Sequence, residues 1–170
     1  GHAGTLDPNA TGVLVVLVGA GTKLSKFLIE HDKTYIATIK LGEKRNTKDE
    51  EGEIIEKKEI NRSTLKKENV KNVLSSFIGK QMQVPPIYSA IKVKGKKLYE
   101  YALNNEKVEI EPREINIYDI ELIELKEDEI KFSVHCSKGT YIRSLCEDIA
   151  EKLENLGYMK DLIRTRVNRF

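Results

Sequence analysis

A chain of 170 residues with 39% hydrophobic side chains falls within the range of one domain and can enclose one core. Its 29 Lys and Arg against 27 Asp and Glu leave a formal charge of +2, a balance that neither demands nor excludes nucleic acid. Two cysteines are too few for a secreted disulfide scaffold, and no apolar run approaches the roughly 18 residues of a membrane span, so a soluble cytoplasmic protein is expected.

Taken in chain order, the apolar run 13–18, closed by Gly19, predicts a strand buried on both faces. Residues 22–29 carry Leu24, Phe27 and Leu28 at helical spacing and predict a short helix. Residues 35–41 alternate and stop at Gly42, the pattern of a strand with one polar face. The acidic stretch 47–53 is expected to be a loop. Ser63 as an N-cap, followed by Leu65, Val70, Val73, Leu74 and Phe77 with Gly79 as a stop, predicts a second helix. Residues 85–112 are irregular and rich in Lys, Tyr and Asn, an excursion from the core with a turn or two of helix at 98–103. Segments 115–125 and 130–136 alternate on either side of a short charged turn, so they predict an antiparallel hairpin. The clearest helix is 140–156, with Ile142, Leu145, Cys146, Ile149, Leu153 and Leu156 on one stripe and Gly157 as its stop, and 162–167 adds a last strand. The elements together predict an α+β fold, a mixed and largely antiparallel sheet with flanking helices.

The opening stretch GHAGTLDPNATG surrounds a single carboxylate, Asp7, with three glycines, a Pro and short polar side chains. Pro8 biases Asp7 away from helical angles, and the glycines permit close approach of another backbone or a ligand. On composition alone the loop either presents one acid or uses Asp7 in an Asx-turn. Lysines 92, 94, 96 and 97 crowd one stretch, and Lys160, Arg164, Arg166 and Arg169 crowd the C-terminal end; each cluster is a solvated face or a nucleic-acid contact.

GHAGTLDP, followed in order by KTYIATIKLG, DEEGEI, PPIYSAIKVKGKKLYEYA and HCSKGTYIRSLCEDI, resembles the bacterial tRNA pseudouridine-55 synthase (TruB) family over nearly the whole chain. Several long motifs in one order are far more specific than a lone short pattern. The resemblance implies a pseudouridine synthase fold and isomerisation of one uridine in the tRNA T-loop, with Asp7 as the catalytic aspartate. Such a reaction breaks the bond from uracil N1 to ribose C1′ and rejoins the base through C5, with no redox change, so no cofactor and no metal are expected. An ionised carboxylate can attack the sugar or remove a ribose proton, and both routes stay open. Tyr35 would stack on the flipped uracil or take the C5 proton, and Arg143 would hold Asp7 charged and oriented. His2 would support the opened T-loop, and Tyr141 and Leu162 would line the uracil pocket. Tyr88, Lys92, Lys96 and Lys97 would face the T-arm from an excursion, 85–112, that is mobile without RNA.

By the same resemblance the partner is the tRNA T-arm stem-loop, with a monomer that needs no protein partner. Because the sequence begins without Met on the motif itself and nothing follows Phe170, a missing N-terminal segment and a missing C-terminal RNA-binding domain are expected. Two other readings remain: the catalytic subunit of a guide-RNA-dependent pseudouridylase of the dyskerin type, and a non-catalytic RNA-binding or RNA-folding module. Leu103 and Asn168 depart from the family pattern, which commonly has Arg and Gly there. His135 and Cys136 are adjacent but lack partners at ligand spacing.

Overall fold

The computed structural model describes residues 2–4, 6–7, 10–24 and 32–167. Its strands are β1 (His2–Ala3), β2 (Thr11–Gly12), β3 (Val15–Val16), β4 (Lys33–Leu41), β5 (Glu43–Arg45) and β6 (Ile54–Lys57), then β7 (Gly79–Gln83), β8 (Lys92–Val93), β9 (Lys96–Lys97), β10 (Arg113–Leu125), β11 (Glu129–Cys136) and β12 (Gly157–Val167). The α-helices are α1 (Lys67–Ser75), α2 (Leu98–Leu103) and α3 (Ile142–Lys152). Six strands form the main sheet in the order β2-β12-β4-β11-β10-β7, antiparallel throughout except for the β2–β12 pair, and the fold is α+β.

Alternation explains why the core lies on one face. Ala37, Ile39 and Leu41 on β4 point the same way as Ile130, Phe132 and Val134 on β11 and Ile115 and Ile117 on β10, and all are buried. Against them pack Leu145, Cys146, Ile149 and Ala150 of α3, with Val70 and Leu74 of α1. Both cysteines are free and buried, and burial pushes their thiols up, that of Cys136 to about 12.

Several expectations need correction. The run 13–18 is not a strand buried on both faces: only Val15–Val16 is a strand, it pairs with β1 outside the main sheet, and Leu14, Val16 and Val18 stay exposed, Val18 at 81%. Apolarity alone does not show that a second layer covers a segment. Of the predicted helix 22–29, residues 22–24 belong to a 3₁₀ turn, Gly19–Leu24, and the rest lie outside the described residues. The helix expected from Ser63 to Gly79 is broken in two. Asn61 caps a 3₁₀ turn, Arg62–Thr64, by accepting from the Ser63 amide, α1 begins at Lys67, and Gly79, with φ +112°, opens β7.

The acidic loop 47–53 proves to be the tip of a β5–β6 hairpin. The helix over 140–156 is shorter than predicted, and the residue with positive φ after it is Glu154, not Gly157. Gly157 answers to space instead: a Cβ there would sit 2.7 Å from that of Ala150 and 3.0 Å from Ile39 Cγ2. The last strand starts at Gly157, five residues before the predicted 162. Among the described residues no helix is long and apolar enough to cross a membrane.

Candidate active site

The Asp7 loop is held at its base and along one limb. His2 pairs with Val16 and Ala3 with Val15, while Thr11 and Gly12 run parallel to Ile163 and Arg164 of β12. Gly12 is required at that contact, because a Cβ there would meet the Arg164 carbonyl oxygen at 2.0 Å and its φ is +116°. Between these anchors the Ala10 amide donates to the Asp7 carbonyl at 2.9 Å, a turn that leaves the Asp7 side chain one-third exposed.

Arg143 meets Asp7 from the first turn of α3, its Nε 3.2 Å from Asp7 Oδ2. The contact is an ion pair without hydrogen-bond alignment. The guanidinium is otherwise fixed by backbone: Nη1 and Nη2 each donate to the Tyr88 carbonyl at 3.1 Å, and Nη1 to that of Thr47 at 3.3 Å. Two loops thereby aim one buried cation at one carboxylate, and the ion pair offsets the cost of burying its charge. The i,i+4 partner Glu147 is not taken by Arg143; it pairs with Lys48 at 3.3 Å, which ties the hairpin tip to α3. The start of α3 is also braced from β7. Gln83 accepts from the Tyr141 amide at 2.9 Å and donates to its carbonyl at 3.1 Å.

A cavity of about 100 Å³ opens beside Asp7, lined by Leu6, Asp7, Tyr35, Thr140, Tyr141, Ile142 and Leu162. That is small for a drug-sized ligand and suits one planar base. Tyr35 lies inside it, and burial first, then the neighbouring Cys136 thiol, pushes its phenol up to about 12 although Arg164 works the other way. The hydroxyl therefore stays neutral at ordinary pH.

The structure thus brings Asp7, Tyr35, Arg143, Tyr141 and Leu162 together and adds the Tyr88 carbonyl. His2 is exposed in β1 and does not line the cavity. Lys92, Lys96 and Lys97 lie on the β8–β9 hairpin, whose turn uses Lys94 and Gly95 at positive φ. Lys92 is exposed, Lys96 reaches Glu106 at 2.7 Å and covers the Tyr101 ring, and Lys97 covers Tyr99. A larger cavity of about 530 Å³ lies under this excursion and shares no residue with the Asp7 cavity.

Sequence reasoning missed Arg164. Set among a C-terminal cluster that reads as a solvated face or a nucleic-acid contact, it is 1% exposed and lies opposite Tyr35 in the β12–β4 ladder. The available signal was its period-two spacing from Leu162, which faces inward. Thr47, whose carbonyl holds Arg143, carried no signal in its residue type.

The sheet topology, and a base-sized cavity lined by Tyr35, Tyr141 and one carboxylate that pairs with Arg143, are those of a pseudouridine synthase fold. A chain of a Cbf5–Nop10–Gar1 complex shares it at a TM-score of 0.71 and 27% identity, covering 100% of this chain and 41% of that one. The TruB family pseudouridylate synthase N-terminal domain matches residues 1–142, and the chain belongs to that family. tRNA pseudouridine synthase B of Alkaliphilus oremlandii is 48% identical over 170 residues, covering 100% of this chain and 56% of that protein. That of Caldanaerobacter subterraneus subsp. tengcongensis is 50% identical over 171 residues, covering 100% and 59%. The chain spans a little over half the length of these relatives.

Proposed function

We propose that this chain isomerises uridine to pseudouridine in tRNA, at position 55 of the T-loop, with Asp7 as the catalytic residue. The observation that carries the reading is the Asp7–Arg143 ion pair at the mouth of a base-sized cavity that Tyr35 and Leu162 line. The names of the relatives support tRNA as the substrate.

With uridine flipped into the cavity, Asp7 attacks C1′ or takes a ribose proton, and the N1–C1′ bond breaks. The base turns, and C5 bonds to C1′ as the Asp7–C1′ bond breaks or, on the other route, as the ribose proton is returned; the C5 proton then passes to solvent and N1 is protonated, so the atoms balance without a co-reactant. Arg143 keeps Asp7 aimed through this sequence. Tyr35 stacks on the uracil or takes the C5 proton as the new bond forms. Lys92 and its neighbours on the excursion meet T-arm phosphates, Tyr88 contacts the same arm and orders Arg143 through its carbonyl, and His2 supports the opened loop.

Loss of the C5 proton gives a direct assay. Tritium should be released from tRNA carrying 5-tritiated uridine when the protein is added alone. Release only after guide RNA and partner proteins are supplied would favour a partner-dependent enzyme, the reading to which the likeness to the Cbf5 complex chain points. No release under either condition would leave an RNA-binding module.

A further inference from the structure

We propose that Arg164 is a positioning residue that clamps both limbs of the Asp7 loop to the strand carrying Tyr35. Its Nε donates to the Val13 carbonyl at 2.6 Å and its Nη2 to the Gly4 carbonyl at 3.0 Å, so one guanidinium spans the two sides of the segment that presents Asp7. The backbone repeats the tie, since the Val13 amide donates to the Arg164 carbonyl at 2.7 Å. Gly4, with φ +92°, lies so close that an added Cβ would sit 3.5 Å from Nη1 and 3.0 Å from Lys33 Cε. Arg164 also lies directly opposite Tyr35 in the β12–β4 ladder, so the guanidinium that holds the loop stands on the strand next to the ring.

A planar fork with five donors can hold two carbonyls on opposite limbs of a loop at once, and an ammonium on a flexible stem cannot. Arg143 and Arg164 thereby divide the work. Arg143 aims the carboxylate, whereas Arg164 sets the distance between the Asp7 loop and the Tyr35 ring, and with it where the ribose sits relative to the stacked base. A buried cation so fully committed to one loop has no need of a place in RNA contact.

The catalytic part of this inference rests on the proposed function. Single-turnover pseudouridine formation on T-arm RNA is compared for the parent, Arg164→Lys and Arg164→Gln. Both variants should bind T-arm RNA as the parent does and turn over about 10²-fold more slowly, the loss that a shift of roughly 1 Å in a reacting group brings. The Tyr35 Cζ resonance in carbon-13 spectra should move in both. Full activity in Arg164→Lys would overturn the clamp, since charge alone would then suffice, and so would weakened RNA binding with unchanged turnover. Should neither variant fold, the parent still decides: the Arg164 Nε–H should exchange slowly with solvent, and exchange as fast as that of exposed Arg166 would overturn the clamp. That measurement uses no RNA, so its failure is distinct from failure of the functional reading.

Discussion

Three charged side chains near α3 differ in what their surroundings ask of them. Asp7 is part-exposed and paired with Arg143, so replacing it by the near-isosteric Asn removes charge and little volume. Asp7→Asn should bind T-arm RNA and melt as the parent does while its single-turnover rate falls by about 10³-fold or more. Residual turnover close to the parent's would remove Asp7 from the chemistry. Glu147 is held by Lys48, and its neighbour Asp148 is the strained one. Burial raises the Asp148 carboxyl to about 6; Lys48 opposes the shift, and Glu147 and Glu151 add to it.

A carboxyl whose folded value lies above its unfolded one binds the extra proton in the folded state, so its contribution to stability is full below about pH 4 and declines as pH rises to about 6. Asp148→Asn should therefore raise the melting temperature at pH 7 and lose that advantage below pH 4. A gain that is equal at both pH values would show that packing, not ionisation, is responsible.

At the scale of elements, the 85–112 excursion has few apolar anchors: Leu98 is buried, but Tyr99 and Leu103 of the same helix are exposed. It should exchange its amides quickly in the free protein and slowly with T-arm RNA bound, and strong protection in both states would make it part of the core. How much of the architecture was legible follows from which elements announce themselves locally. The strand through Ala37, Ile39 and Leu41, the β10–β11 hairpin and the α3 stripe could be read because one covered face imposes a period of two or 3.6. The exposed run at Leu14, Val16 and Val18 was misread because covering layers are tertiary facts. Gly157 marks a close approach to Ala150, not a helix stop, and a glycine looks the same for either reason. At the candidate site, the ordered motifs singled out Asp7, Tyr35 and Arg143, which the fold brings together. Arg164 was not, because a buried cation in a basic cluster differs from an exposed one only by the contacts it makes.

For the whole molecule, the sheet brings together residues far apart in the chain: Asp7 from the opening loop, Tyr35 from β4, Tyr88 from the excursion, Arg143 from α3 and Arg164 from β12. The proposed activity of this assembly is conversion of one uridine of the T-loop. The most direct measurement incubates the protein alone with an unmodified T-arm stem-loop and maps pseudouridine at nucleotide resolution. Modification is expected at position 55 and nowhere else, and none in Asp7→Asn. Modification at another position, or an unmodified RNA that the protein nevertheless binds, would contradict it.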